Sequence, residues 1–246
     1  MGNARHSGLA ASVKQAGTGR QPLRRLRSFV LRSGRMTESQ ARALQQHMQR
    51  WALPRSARPV DFSVAFGNAN PVTMEIGFGM GDSLAQMARQ SPAENFLGVE
   101  VHRAGVGRLL ALVEKSDLSN VRVYCDDAVE VLEQNIAARS LARVNIFFPD
   151  PWHKKRHHKR RLVQAGFLDL LHSKLEPDGL LHIATDWQPY AEHVLEVVAG
   201  HDGFENINAA QPFANAADYG RPETKFERRG IKLGHGVWDM VFRPKT

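Results

Sequence analysis

Short apolar runs alternate with amphipathic segments along most of this chain, and this alternation constrains the fold more than any other feature. The apolar runs have the length of buried strands, and the segments between them have helical periodicity. The predicted strands cover residues 72–76, 96–101, 121–125, 144–148 and 180–185. The predicted helices cover residues 83–90, 104–115, 127–138, 164–175 and 189–199. Strict alternation implies βαβ units, so we predict a doubly wound, mostly parallel α/β sheet with helices on both faces.

The end of the chain predicts a different pairing. Residues 205–208 and 237–243 have the composition of two further strands joined by a long loop, which predicts a C-terminal antiparallel strand. In an open sheet of this kind, ligands bind beyond the carboxyl ends of the strands, at the topological switch point. The residues that follow each predicted strand are therefore the first candidates for a functional site.

The N-terminal region differs from the rest in composition. Residues 1–37 carry eight Lys and Arg and no acidic residue, which predicts a basic arm over 1–36 that is disordered when free. An organelle transit peptide has a similar composition, but an RNA-contacting arm fits the rest of the chain better. Thr37 and Gln40 have the spacing of a capping box that opens a helix to about Trp51. We assign residues 37–59 to this helix and a linker, and residues 60–246 to the main α/β domain.

The charge balance favours an anionic partner. The 246 residues contain 33 Lys and Arg against 25 Asp and Glu, a formal net charge of +8. Nucleic acid is preferred over a membrane, because no amphipathic Lys/Leu helix and no run of transmembrane length is present in the sequence. The single cysteine, Cys125, excludes an internal disulfide and fits a reducing, cytoplasmic compartment. It ends an apolar run, which favours a core position over a nucleophilic one.

A glycine-rich turn follows the first predicted strand. Residues 75–81 read Glu-Ile-Gly-Phe-Gly-Met-Gly, so Gly77, Gly79 and Gly81 stand at alternate positions. Nicotinamide, flavin and methyl-donor enzymes all use such turns, so the glycines alone do not choose between them. The spacing differs from the G-x-G-x-x-G that binds a pyrophosphate, and Glu75 would repel a diphosphate and attract a cation. These two details favour S-adenosylmethionine, which carries a sulfonium and an amino group.

Carboxylates also follow the other predicted strands. Glu100 ends the second strand, where it could accept from ribose hydroxyls of either a nicotinamide cofactor or S-adenosylmethionine. Asp126 and Asp127 follow the third strand, where one could reach an adenine amino group or cap the next helix. Asp150 follows the fourth strand and Asp186 the fifth. Helix caps and solvated loops rarely place an acid at every such position.

Asp150 is followed at once by a basic segment. It lies between Pro149 and Pro151, which fix their own φ angles and hold the carboxylate in a stiff turn. Residues 153–161 are nine consecutive His, Lys or Arg residues, a pattern that fits a solvated charge run or a polyanion-binding loop. The histidines in this segment have no nearby carboxylate or cysteine partner on a helix, so we predict no metal site. Phosphate contact is the preferred role for the segment.

These motifs resemble the bacterial tRNA (guanine-N7-)-methyltransferase family of class I S-adenosylmethionine-dependent enzymes. The resemblance is carried by the glycine turn and by Gly-Val-Glu-Val-His at 98–102. It is carried further by Phe-Pro-Asp-Pro-Trp-His-Lys-Lys-Arg-His at 148–157, by Ala-Thr-Asp-Trp at 184–187 and by Thr-Lys-Phe-Glu-Arg-Arg-Gly at 224–230. It runs from about Arg27 to the C-terminus, with Ala104 in place of an expected proline. It implies a Rossmann-like methyltransferase domain and methylation of N7 of a guanine in the variable loop of tRNA.

The resemblance also implies roles for individual residues. The acids that match Glu75, Glu100, Asp127 and Asp150 line the methyl-donor site together with the glycines, and Asp150 is the catalytic residue. The substrate-binding set is Lys154, Asp186, Thr224, Lys225, Phe226 and Glu227. The RNA-contacting set is Arg156, His157, His158, Lys159, Arg160 and Arg161. The resemblance leaves open whether the chain is a monomer or a homodimer.

The chemistry of this reaction agrees with those roles. Guanine N7 has a free lone pair, so no proton must leave before it attacks the methyl group, and no strong general base is required. Catalysis then depends on in-line positioning and on stabilising the purine as it becomes cationic, which we assign to Asp150. A nicotinamide-dependent reductase would explain the sheet but not the basic segment. An RNA-binding module without activity would explain the charge but not the acids at successive strand ends.

Overall fold

A computed structural model of the chain describes Phe29 and residues 36–208, 211–224, 227 and 236–245. Its centre is a seven-stranded sheet with the strand order β3-β2-β1-β4-β5-β7-β6. The strands are β1 (Val72–Ile76), β2 (Asn95–Val99), β3 (Val121–Tyr124), β4 (Leu141–Phe147), β5 (Leu175–Thr185), β6 (Phe204–Asn206) and β7 (Trp238–Pro244). The helices are α1 (Glu38–Trp51), α2 (Phe62–Phe66), α3 (Asp82–Gln90), α4 (Arg103–Lys115), α5 (Ala128–Asn135), α6 (Ala165–Lys174) and α7 (Gln188–Ala199). Two short 3₁₀ helices cover Lys155–Arg160 and Ala216–Tyr219.

The sheet confirms the predicted topology. Strands β1 to β5 are parallel, and β7 pairs antiparallel with both β5 and β6. The strand order runs outward from β1 in one direction and from β4 in the other, so the switch point lies between β1 and β4. The carboxyl ends of these two strands, and of their neighbours, therefore form the expected ligand-binding edge.

The core lies on both faces of the sheet. Residues that are adjacent along a strand belong to different hydrophobic clusters, as Ile183 and Ala184 do in β5. This division follows from the alternation of side chains across a strand. Helices α5, α6 and α7 cover one face, and α1, α3 and α4 cover the other. Cys125 is half-buried against the second cluster, which agrees with its predicted core position.

Helix α1 begins with the predicted capping box and is fixed to the rest of the chain. The Thr37 N–H donates to Gln40 Oε1, and the Gln40 N–H donates to Thr37 Oγ1. The helix ends at Trp51 as predicted, and the next residues pair with β3 through the Leu53 N–H and the Val123 carbonyl. The predicted boundaries at residues 36 and 59 stay a prediction, and the disorder predicted for 1–36 falls almost entirely outside the described residues.

Three element boundaries differ from the prediction by three residues or more. Strand β4 begins at Leu141 and β5 at Leu175, each several residues earlier than expected, because both leucines are buried and paired with each other. The polar residues Glu176 to Gly179 inside β5 had the composition of a turn, which concealed the start of this strand. Helix α5 ends at Asn135, whose side-chain N–H donates to the Ser56 carbonyl at 2.9 Å. In the described part of the chain, no helix is long and apolar enough to cross a membrane.

Candidate active site

The glycine turn after β1 has the backbone conformation that the sequence required. Gly77, Gly79 and Gly81 have φ angles of +74°, +58° and +76°, in the left-handed region that glycine adopts without strain. Gly105 of α4 packs directly against this turn, since a Cβ on Gly105 would lie 2.0 Å from the Gly79 carbonyl oxygen. The turn is therefore held in a defined shape by the first residues of α4 as well as by its own glycines.

Glu100 connects the carboxyl end of β2 to the same turn. Its Oε2 accepts from the Gly79 N–H at 2.9 Å, and its Oε1 accepts from the His102 N–H at 2.9 Å. Each carboxylate oxygen keeps a lone pair that a ribose hydroxyl could use. The side chain is buried at the wall of the cleft described below, which is the position the prediction required.

Glu75 lies inside β1, beneath the turn, and its position differs from the prediction of a residue at the strand's end. Its side chain is only 2% exposed, and it does not belong to the lining of the cleft. Oε2 has no hydrogen-bond partner among the described residues. Burial, followed by repulsion from Glu100, raises the pKa of Glu75 to about 8. Without a bound cation, this carboxyl is therefore mostly neutral at pH 7.

Asp126 and Asp127 follow β3 and have different partners. Asp127 is the N-cap of α5, where Oδ1 accepts from the Val129 N–H at 2.9 Å, so the capping interpretation is confirmed. Asp126 forms an ion pair with Arg55, with Oδ2 and Nη1 2.8 Å apart. Both aspartates also line the cleft, so contact with an adenine amino group stays a prediction for either residue.

A cleft of about 330 Å³ joins the carboxyl ends of four strands. Its wall is formed by Gly77 after β1, Glu100 after β2, Asp127 after β3 and Asp150 after β4. The cleft lies at the switch point between β1 and β4. Phe29, from the N-terminal region, contributes to the same wall, and no signal in the sequence predicted this contribution.

Asp150 occupies a stiff turn, as predicted, but the strain lies beside the prolines. Phe148 and Trp152 have φ angles of +52° and +48°, which is unfavourable for aromatic residues. The Phe148 N–H donates to the Ala184 carbonyl at 2.8 Å, which fixes the start of the turn to β5. The Asp150 side chain is exposed and reaches the cleft. The turn thus presents one carboxylate to the cleft from a constrained backbone.

The basic segment, which we define as residues 153–161, contains the 3₁₀ helix Lys155–Arg160. Lys154, Arg156 and Lys159 are exposed, whereas His157, His158 and Arg160 are half-buried. The Arg160 guanidinium lies 4.8 Å from the Trp152 ring centre, so Trp152 packs against the segment. Desolvation and the neighbouring cations lower the pKa of His157.

Arg161 is packed inside the protein, unlike the exposed cations of the basic segment. Its side chain is buried, with only 5% of the residue exposed. Nε donates to the Pro151 carbonyl at 3.0 Å, and the guanidinium lies 5.2 Å from the Tyr190 ring centre. A guanidinium held in this way braces the turn that carries Asp150 against α7, and its contact with RNA stays a prediction.

The predicted substrate residues occupy two places. Lys154 and Asp186 are exposed beyond β4 and β5. Glu227 is buried, and its N–H donates to Thr224 Oγ1 at 3.1 Å while the Thr224 N–H donates to Glu227 Oε2 at 3.2 Å. Lys225 and Phe226 lie outside the described residues. Thr224 and Glu227 thus form one local unit, and Asp186 lies on a different loop.

A buried arginine that sequence reasoning missed holds Glu227 in place. Arg221 donates to Glu227 Oε2 and Oε1 at 2.6 and 2.7 Å, and to Asp239 Oδ1 and Oδ2 at 2.6 and 2.8 Å. His182 of β5 lies 2.7 Å from Asp239 Oδ1. Burial alone would lower the pKa of Arg221, but its two acidic partners raise it. Polar residues in the apolar sequences of β5 and β7 were the available signal for this network.

The histidines of the basic segment form no visible metal site. Over the described ranges, no group of three or more His, Cys, Asp and Glu side chains could hold a metal ion. The prediction that the protein uses no metal stays a prediction.

Solved structures with a similar fold are methyltransferases. The 16S rRNA methyltransferase KamB aligns with a TM-score of 0.53 and 13% identity over 80% of this chain and 99% of its own. The 30S ribosomal A1408 methyltransferase from an uncultured bacterium aligns with a TM-score of 0.50 and 12% identity, over 79% of this chain and 98% of its own. A family model described as "Putative methyltransferase" matches residues 69–240. The fold, the glycine turn and the acids around the cleft define a class I S-adenosylmethionine-dependent methyltransferase.

Relatives with much higher identity give the family. The tRNA (guanine-N(7)-)-methyltransferase of Alcanivorax borkumensis is 53% identical over 224 residues, which cover 91% of this chain and 93% of that protein. The enzyme of the same name from Pseudomonas fluorescens is 55% identical over 219 residues, covering 89% of this chain and 90% of that protein. This chain belongs to the bacterial tRNA (guanine-N7-)-methyltransferase family.

Proposed function

We propose that the guanine which this enzyme methylates at N7 lies in the variable loop of tRNA, and that Asp150 is the catalytic residue. The enzyme transfers the methyl group from S-adenosylmethionine, as its family membership indicates. The observation that carries the proposal is the single cleft that Gly77, Glu100, Asp127 and Asp150 line together.

The donor fits this cleft by the chemistry of its walls. Glu100 offers carboxylate lone pairs to the ribose hydroxyls, and Asp126 or Asp127 offers an acceptor to the adenine amino group. The glycine turn brings the backbone close to the bound donor, and the acids at Glu75 and Glu100 complement the positive charge of the sulfonium and amino groups. When bound, the donor supplies an electrophilic methyl carbon attached to a positively charged sulfur.

The protein's contribution to the reaction is positioning and electrostatic stabilisation. Asp150 lies on a stiff turn at the edge of the cleft, so its carboxylate holds the guanine in line with the methyl group and stabilises the positive charge that the purine gains. Asp186 or Glu227 accepts from the amino and ring N–H groups of the guanine. Thr224 orients Glu227 through its local hydrogen bonds, and Lys154, Lys225 and Phe226 complete the substrate-binding set.

Cations of the basic segment that reach the surface bind the tRNA backbone. Arg156, Lys159 and Arg160 contact phosphates in this proposal, with His157 and His158 beside them, and Arg161 braces the segment from within. Because the substrate is tRNA, we place the enzyme in the cytoplasm. The proposal includes no metal and no membrane, and it makes no assignment between monomer and homodimer.

The test is methyl transfer from labelled S-adenosylmethionine to unmodified tRNA, followed by strand scission specific to N7-methylguanine. We expect one labelled guanine, in the variable loop. At saturating donor, Asp150→Ala should lower the rate of methyl transfer by at least about 100-fold, because positioning and charge are both lost. Asp150→Asn keeps the shape of the side chain and removes its charge, so its rate of methyl transfer shows how much of the loss is due to charge. Scission at another position would contradict the variable-loop assignment, and full activity of Asp150→Ala would contradict the catalytic one.

A further inference from the structure

Trp187 is an exposed aromatic side chain that the proposed mechanism has not used. It is 40% exposed, and the other exposed large apolar side chains in the described part of the chain are Val64 and Met80. A single exposed apolar side chain is common on protein surfaces, so the place of Trp187 next to the candidate site, and not its exposure alone, makes it a candidate ligand contact. Aromatic rings that stack on unpaired bases are a common means of binding RNA.

The position of Trp187 is fixed by the turns after β4 and β5. The backbone N–H of Trp187 donates to Thr185 Oγ1 at 3.2 Å, which holds the residue just beyond β5. The His153 ring meets the indole edge-on, with 4.5 Å between ring centres and 86° between planes. His153 is three residues after Asp150, so the indole lies beside the loop that carries the catalytic carboxylate.

The strand order puts Trp187 next to the side of the cleft that carries Asp150. The cleft for the methyl donor is formed at the carboxyl ends of β3, β2, β1 and β4, with Asp150 at its β4 side. In-line transfer requires the nucleophile to approach the methyl carbon from the side opposite to sulfur. The next strand beyond β4 is β5, whose carboxyl end carries Asp186 and Trp187.

We propose that Trp187 stacks on the guanine that receives the methyl group and stabilises the positive charge that forms on it. This inference rests on the function proposed above. In the reaction the N7 lone pair forms a bond to the methyl carbon, and the carbon–sulfur bond breaks with its electron pair passing to sulfur. The donor loses its positive charge, the purine gains one, and no proton is transferred.

An indole face attracts a cationic purine more strongly than it attracts a neutral purine. It also attracts a cation more strongly than a phenyl face does. Trp187 therefore stabilises the transition state more than the bound substrate, which is the condition for acceleration. The T-shaped contact with His153 fixes the indole beside the turn that carries Asp150, and the purine stacks on the exposed part of the ring in this proposal.

The first experiment compares Trp187→Leu, Trp187→Phe and Val64→Ala with the wild type in single-turnover methyl transfer at saturating donor and tRNA. We expect Trp187→Leu to slow transfer about 10-fold and Trp187→Phe to recover part of the rate, because a phenyl face retains a weaker cation–π interaction. Val64→Ala removes an exposed apolar side chain elsewhere and should match the wild type. Donor affinity, measured by calorimetry, should be the same in all four proteins.

The second experiment measures affinity without catalysis. Unmodified tRNA and tRNA that carries N7-methylguanine are bound to each protein in the presence of S-adenosylhomocysteine. The ratio of the two affinities should shift about 10-fold against the methylated tRNA in Trp187→Leu. A Leu variant that transfers methyl at the wild-type rate, or that loses affinity for both tRNAs equally, would overturn the inference. A wild type that leaves tRNA guanine N7 unmethylated would instead overturn the proposed function.

Discussion

At the scale of single residues, Glu75 is a buried acid whose charge depends on what occupies the cleft. Its carboxyl has one oxygen without a partner among the described residues, and its pKa is raised to about 8 by burial and by Glu100. A cation bound above the turn would favour the ionised form. The donor's positive charge and the proton on Glu75 should therefore compete.

Replacing Glu75 by Gln should remove this competition. In the free protein, a carboxyl with a pKa of about 8, against 4.5 in the unfolded chain, favours folding at low pH and loses that contribution as pH rises through about 8. Relative to Glu75→Gln, the wild type should lose a few kcal/mol of unfolding free energy between pH 5 and pH 9. Urea unfolding without donor at these two pH values measures the difference.

Donor binding gives an independent check on the same residue. At pH 7 the wild type should release up to about one proton when S-adenosylmethionine binds, because the cation ionises Glu75. Calorimetry in buffers of different ionisation enthalpy counts the protons. Equal proton release by Glu75→Gln would show that another group is responsible.

Two helical glycines provide a second prediction at this scale. A Cβ on Gly105 would lie 2.0 Å from the Gly79 carbonyl oxygen, whereas a Cβ on Gly166 of α6 would have no heavy atom within 4 Å. Gly105→Ala should therefore displace the donor-binding turn, weaken donor binding by at least 10-fold and lower stability by about 1–3 kcal/mol. Gly166→Ala, the matched control, should raise stability by up to about 1 kcal/mol, since alanine favours helix. Titration with donor and thermal unfolding test both variants.

At the scale of elements, Arg221 joins the segment that contains Thr224 and Glu227 to the sheet. Its guanidinium donates to a carboxylate on each side, Glu227 on the loop and Asp239 on β7. It also lies 5.5 Å from the ring centre of Phe148, the residue that starts the turn carrying Asp150. Burial raises the pKa of Asp239, but the hydrogen bonds from His182 and Arg221 outweigh it, so the carboxylate stays ionised.

Removing Arg221 should be costly because two buried carboxylates would lose their counter-charge. Arg221→Met should lower the unfolding free energy by about 3–5 kcal/mol, as for other broken buried ion pairs. Arg243 on β7 pairs with Glu205 at the surface, and Arg243→Met should cost less than about 1 kcal/mol. Urea unfolding of the two variants makes the comparison, and equal losses would contradict the difference in burial.

The elements also show what the sequence could and could not predict. Strand β1, its glycine turn and the acids after β2, β3, β4 and β5 were predictable, because each follows from local composition and from the rule for parallel sheets. The early start of β5 was not, since Glu176 to Gly179 favour a turn locally and the pairing of Leu175 with Leu141 joins residues distant in the sequence. The partners of Arg161 and Arg221 were equally hidden, because their charges gave no sign of which carboxylates or carbonyls the fold would bring to them.

At the scale of the whole molecule, the net charge of +8 acts mainly through tRNA binding. Each phosphate that a cation neutralises releases counterions, so the logarithm of affinity falls with the logarithm of salt concentration. Under the proposed function, the cations that contribute are those exposed on the basic segment. Arg156 and Lys159 are exposed, whereas Arg161 is buried. The structure therefore predicts that the first two contribute to the salt dependence of tRNA binding and that Arg161 does not.

The double variant Arg156→Ala/Lys159→Ala should therefore reduce the magnitude of the salt slope by about 1.5 to 2, which is the loss expected for two phosphate contacts. Arg161→Met should change stability, because the Pro151 carbonyl loses its donor, and it should leave the slope of the folded protein nearly unchanged. Filter binding of tRNA between roughly 50 and 200 mM salt, with folding checked first, measures both slopes. A slope that falls equally in the two variants would mean that Arg161 turns outward when tRNA binds. A slope unaffected by the double variant would place the phosphate contacts elsewhere, with the basic N-terminal residues as the next cations to replace.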